Sequence, residues 1–254
     1  MWGAGRMAEC MMGCSDFTVI EFRRYTIRDG EREHFAKYFD AYFPEAMQQL
    51  GAIAVGQFSE RENPSCFTWV RGFRNMDERA KANANLYYGP VWKEHRDLMN
   101  GMMTDSDNVL LMQSVETGCG IEVLRSVDPV KEVDGMKGVA VAHIFPIKPG
   151  SLKEFMQLAE SEFAAYGSTV LRETGRFVTS DVPNNFPQHP VRTDGPFVVW
   201  FGIAKDDAAT EQFRGVAERA AKSLESTNLL RGTAELVILD PTSRSRMRWL
   251  PEWR

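Results

Sequence analysis

The chain has 254 residues, of which 43% are hydrophobic and 26% charged, and its formal net charge is -5. That length holds one large domain or two of ordinary size, with enough apolar residues for a stable core. The acidic balance argues against nucleic acid as the main partner, which would want a clustered basic surface, and no apolar run approaches a membrane span.

The first 16 residues, opening MWGAGRMAECMMGC, lack the sustained apolar core of a signal peptide. They read as a flexible leader, and the cytoplasm is the expected compartment. A first domain is expected over residues 17–117. VIEFRRYTI is a β-rich run closed by the turn residues Asp29 and Gly30. Phe35, Tyr38, Phe39, Tyr42, Phe43, Met47 and Leu50 then recur at helical spacing, so one stripe of a helix is apolar, and Gly51 stops it. AIAVGQF and FTWVRGF make a hairpin around ENPSC. Asp77 is placed to cap a second helix, Gly89-Pro90 breaks that helix before VWKEHRDLM, and NVLLMQSV is the last strand of the unit.

Residues 118–138, charged and glycine-containing, link this unit to a second over residues 139–240. There VAVAHIFPI, LKEFMQLAESEFAAY, GRFVTS, PFVVWFGI, a helix from about Asp207 to Ser223 and AELVIL follow in the same order. Ile27, Gly30 and Phe35 match Ile147, Gly150 and Phe155 at one constant offset. Phe67, Gly72 and Asp77 match Phe197, Gly202 and Asp207 at a longer one, and the loop VPNNFPQHPVRTDG accounts for the difference. A βαββαβ order is ferredoxin-like, and a second copy in the chain is the natural cover for the open face of the first sheet. The expected fold is therefore α+β: two tandem ferredoxin-like units forming an intramolecular dimeric α/β barrel. No homodimer is needed to close it, although outer surfaces could still assemble into a homo-oligomer. Residues 241–254 form a basic and aromatic tail. Arg244, Arg246, Arg248 and Arg254 interleave with Trp249 and Trp253 there, and a strap packed on the other half is expected.

VIEFRRYTIRDG, FTWVRGF followed by Asp77-Glu78-Arg79, the later VWKEHR, and NNFPQHPVRTDGPFVVWF resemble NIPSNAP domains, over roughly residues 17–240. The resemblance implies membership of the dimeric α/β-barrel superfamily. That superfamily includes cofactor-independent monooxygenases, haem-degrading enzymes and muconolactone isomerases, activities that do not pass from one member to another on fold alone.

Strand alternation puts Glu21, Arg23 and Tyr25 on one face and Ile20, Phe22, Arg24 and Thr26 on the other. Ile20 and Phe22 suit a helix-covered face, so the charged face is expected to line the barrel. Trp69 and Arg71 share a face of FTWVRGF, and the repeat sets Val141, His143 and Phe145 opposite Glu21, Arg23 and Tyr25. The expected site thus lies between the halves. His143, Arg23 and Tyr25 are its catalytic set: the arginine and phenol would steady an oxyanion and the histidine would move a proton. Glu21, Trp69, Arg71 and Phe145 bind substrate. The plainer reading is that Glu21 and Arg23 neutralise each other and that His143 is a satisfied interior residue. His95 is expected to pack, while His34 and His189 carry less weight.

The four cysteines are too few and scattered for a disulfide framework or a zinc site, so no metal is expected. P-loop, GxGxxG, HExxH and GxSxG motifs are missing from the sequence. No cofactor is predicted; haem, on His143 or His95, is the alternative. Two functions follow. One is a cofactor-independent oxygenase or isomerase acting on a small aromatic or enolisable molecule held between the halves. The other is a non-catalytic binding or scaffolding module whose polar interior only joins them. A roomy pocket favours the first and a filled interior the second.

Overall fold

Gly30 and Gly150 mark one turn made twice. Both take left-handed φ values, +81° and +80°, a conformation glycine adopts without the clash a Cβ would bring. The computed structural model that shows this describes residues 15–116, 119–169 and 171–253. Around those turns the first half runs β1 (Val19–Ile27), α1 (Arg32–Tyr42), α2 (Pro44–Gln49), β2 (Ile53–Glu60), β3 (Cys66–Phe73), α3 (Met76–Tyr87), α4 (Pro90–Met102) and β4 (Met103–Ser114). The second runs β5 (Val139–Pro146), α5 (Leu152–Tyr166), β6 (Leu171–Thr179), β7 (Phe197–Ala204), α6 (Asp207–Glu225) and β8 (Glu235–Pro241). The helix expected to continue to Leu50 breaks at Phe43, because Pro44 has no N–H for the preceding turn. Asn75, not Asp77, caps α3: its Oδ1 accepts from the Glu78 N–H at 2.8 Å.

The strands close into one antiparallel barrel in the order β1-β3-β2-β8-β5-β7-β6-β4. Each half contributes the same order, β4-β1-β3-β2 and β8-β5-β7-β6. The seams are short, with Phe58–Glu60 on Leu239–Pro241 and Met112–Ser114 on Phe177–Thr179. Ile20, Phe22, Val55, Phe58 and Val70 meet Ala142, Phe177, Val199, Phe201 and Leu239 inside the barrel. Linker residues Ile121 and Leu124 and tail residues Met247 and Leu250 join the same cluster. The helices lie outside, α1 to α4 on the first half and α5 and α6 on the second.

Two expectations are corrected here. The alternation of β1 holds, but its faces are exchanged: Ile20 and Phe22 fill the barrel, whereas Tyr25 and the charged residues beside it look out under the helices. The repeat also moves by one residue in β7. Ile20 pairs with Gly72, and Ala140 pairs with Ile203. Trp69 therefore corresponds to Trp200 and Arg71 to Gly202, since a one-residue slip inverts the faces.

The tail is a strap. Arg248 is fully buried and donates from Nε and Nη2 to Glu132 of the linker at 2.5 and 2.8 Å. The leader through residue 14, with Cys10 and Cys14, lies outside the described residues, as does Arg254. Cys66 is a buried free thiol. Among the described residues no helix is long and apolar enough to cross a membrane.

Candidate functional site

Register and capping bring four charges together. β1 and β3 pair Glu21 with Arg71 and Arg23 with Trp69, and the Asn75 cap sets Arg79 on the first turn of α3 facing them. One Glu21 carboxylate oxygen accepts from Arg23 Nη1 at 2.6 Å and from Arg71 Nε at 2.7 Å. The other accepts from Arg79 Nε at 2.6 Å. All four side chains are buried, so three guanidinium groups share one carboxylate and a charge of about +2 stays out of water. Burial alone would raise the Glu21 carboxyl; Arg71, Arg23 and Arg79 outweigh it and hold it well below the usual carboxylate range. Burial also pushes the Arg79 guanidinium below its ordinary value, against the opposing pull of Glu21.

Several polar atoms around this cluster are buried without a hydrogen-bond partner: Arg79 Nη2, Trp69 Nε1 and both amide atoms of Asn83. Arg23 Nε donates to the Tyr25 hydroxyl at 2.7 Å. Burial pushes that phenol up to about 12, against the opposing effect of Arg23, so it is neutral at neutral pH.

Beside the cluster lies a small apolar cavity, open at its mouth, between the outer face of the first sheet and helices α1 to α4. Tyr25, Phe39, Trp69, Tyr87 and Met99 line it, with Ser106 and His189. His189 comes from the other half. It sits in the loop between β6 and β7, stacked on Tyr87 with ring centroids 3.6 Å apart. Backbone bonds from Ser180 to Leu111 and from Arg192 to Val109 tie that loop across the seam. Its Asn184 and Asn185 accept from Arg79 Nη1 at 3.0 and 2.7 Å. Burial, reinforced by the cations Arg23 and Arg71, pushes the His189 imidazole down to about 3.

Of the residues expected in one site, Glu21, Arg23, Tyr25, Trp69 and Arg71 do assemble, but under the helices and not inside the barrel. His143 and Phe145 do not join them. They belong to the outer layer of the second half, where the His143 ring lies 4.2 Å from Phe145 and its Nδ1 is 2.8 Å from the Tyr166 hydroxyl. Burial pushes this imidazole down to about 3. Packed apolar side chains fill the barrel where the pocket was expected, and a polar pocket lined by Arg24, Glu60, Glu235 and Leu236 opens instead at the seam of β2 and β8. His95 packs as expected, 2.7 Å from the Tyr38 hydroxyl, and neither it nor His143 lines the cavity. Arg79 and Tyr87 are participants that sequence reasoning missed, Asn83 is a buried polar neighbour on the helix of Arg79 that it also missed, and His189, which it gave little weight, lines the cavity. For Arg79 and Asn83 a signal exists: Arg79, Asn83 and Leu86 share one stripe of α3, and two of the three are polar.

The repeat supplies an internal comparison. With the caps Asn75 and Asp206 in register, the counterparts of Glu21, Arg23, Arg71 and Arg79 are Val141, His143, Gly202 and Thr210. None of the four charges recurs, so this scaffold closes without them.

Solved structures place the architecture among known folds. A candidate monooxygenase of Fusobacterium nucleatum subsp. nucleatum aligns at 10% identity over 92% of this chain and 96% of its own, with a TM-score of 0.59. Another, from Lactobacillus acidophilus, aligns at 10% identity over 90% and 96%, with a TM-score of 0.54. An anthrone oxidase-like protein aligns at 13% identity over 95% and 99%, with a TM-score of 0.58. At such identities the likeness is one of fold: a mixed α+β protein on a closed α/β barrel. Within it, residues 20–112 match the NIPSNAP family model. No curated protein matches the sequence.

Proposed function

We propose that the protein binds a small aromatic or enolisable molecule in the cavity of its N-terminal half and acts on it as a cofactor-independent oxygenase or isomerase. One observation carries this reading: an aromatic-walled pocket is lined by Trp69, whose Nε1 has no partner and whose ring lies against the buried Arg23 and Arg71, charges that the matching layer of the second half does without. The names of the structural neighbours, monooxygenase and anthrone oxidase-like, agree with it. The repeated strand order supports two ferredoxin-like units as its frame.

In this reading His189 takes the proton from the enolisable carbon. Burial holds its basicity low, and the guanidinium field of Arg23 and Arg71 lowers it further. That basicity rises as negative charge develops on the substrate oxygen beside Tyr25, so the base strengthens as the enolate forms. In an isomerase the proton returns at another carbon. In an oxygenase dioxygen is the co-substrate: an enolised methylene becomes a carbonyl and the second oxygen atom leaves as water.

The test uses anthrone and small quinols, followed by oxygen consumption and by thermal shift. Wild type should bind and turn over at least one of them. Ser106→Trp, at a half-buried position on the cavity wall, should block binding without unfolding the chain. His189→Ala should bind but turn over at least about tenfold more slowly. Binding that survives Ser106→Trp unchanged would move the site elsewhere.

A further inference from the structure

We infer that this cavity takes its ligand as an anion: an aromatic carboxylate, phenolate or enolate whose charged oxygen lies at the Tyr25–Trp69 end. The inference rests on the cavity being the binding site and adds the charge of what it binds.

Four observations converge. First, among the described residues Glu21 is the lone carboxylate bonded to Arg23, Arg71 and Arg79, and each of these cations is buried. Among the described residues the other acceptors from Arg79 are the neutral amides of Asn184 and Asn185, so a desolvated charge of about +2 waits for a counter-ion. Second, the counterparts Val141, His143, Gly202 and Thr210 build the same layer without that charge, so the fold does not require it. Third, donors are left over. Trp69 Nε1 and Arg79 Nη2 are buried without acceptors. The Tyr25 oxygen already accepts from Arg23, which leaves the phenol hydrogen to donate. Fourth, no acidic side chain is among the described residues lining the cavity. The guanidinium carbons (Cζ) of Arg23 and Arg71 lie 5.6 and 5.1 Å from the Trp69 ring centre. The positive field therefore sits directly behind an aromatic wall, and a ring bearing one anionic oxygen matches both features.

The experiment is calorimetric titration of the whole protein with 2-naphthoate and with its neutral isostere 2-naphthamide. Wild type should bind the carboxylate at least about tenfold more tightly, the scale of one charge-assisted hydrogen bond. Trp69→Phe removes a donor that has no partner, so its melting temperature should stay near that of wild type while the preference for the carboxylate shrinks. Arg79→Gln should shrink it further. If that variant does not fold, Trp69→Phe and Tyr25→Phe carry the test. Equal affinity for acid and amide overturns the inference and leaves the cavity as a neutral site. A preference that no variant changes places the anion elsewhere and also overturns it. Failure of both probes to bind wild type, with anthrone and quinols failing too, removes the binding site and the inference together.

Discussion

Glu21 and Arg23 look like an ordinary ion pair in the sequence, two positions apart on one strand face. In the structure they are not equal partners. Removing Arg23 still leaves Glu21 bonded to Arg71 and Arg79, whereas removing Glu21 strands three buried cations. Glu21→Gln should therefore cost roughly 3–5 kcal/mol of folding stability. Arg23→Ala should cost less, about 1–3 kcal/mol, for its lost hydrogen bonds and packing. Urea denaturation of the two variants decides the order; the reverse order would mean that the charge is compensated by something other than Glu21. The composition of this cluster was half legible. Glu21, Arg23, Trp69 and Arg71 follow from alternation within two strands. Arg79 reaches them only because α3 packs on that face, and His189 only because a loop from the other half crosses a seam, contacts that no local pattern encodes.

The exchanged faces of β1 have a physical cause at the level of elements. Alternation says which residues share a face and not which layer that face meets. Ile20 and Phe22 suit a barrel interior as well as a helix-covered surface, and the deciding neighbours, Phe201 across the barrel and Arg79 on a helix, are distant in sequence. The glycine turns, the break at Gly89-Pro90 and the tail strap were legible because each is a local chemical necessity. The cap of α3 joins element to site, since Asn75 fixes the helix end that carries Arg79. Asn75→Ala should lower stability by about 1 kcal/mol and weaken 2-naphthoate binding more than 2-naphthamide binding. A stability loss with both affinities unchanged would detach the cap from the site.

For the molecule as a whole, acid is the informative stress. The His143 imidazole is near 3 in the native protein and near 6.5 once unfolded. Between those values the unfolded chain binds the extra proton, so stability is complete above about pH 6.5 and declines as pH falls toward 3. The slope from this group is at most about 1.4 kcal/mol per pH unit. His143→Gln, which keeps a partner for Tyr166, should flatten the decline in urea denaturation between about pH 6.5 and about pH 4. An unchanged slope would show that His143 is not held neutral. A last consequence comes from closing the barrel within one polypeptide. When two identical chains share a barrel, every substitution is written twice, and both pockets gain or lose chemistry together. A single chain is released from that rule. Its second half has Trp200 where the first has Trp69, lacks the four charges, and lends a loop to its neighbour. Saturation should accordingly come at one equivalent of ligand per polypeptide, half the stoichiometry of a symmetric pair.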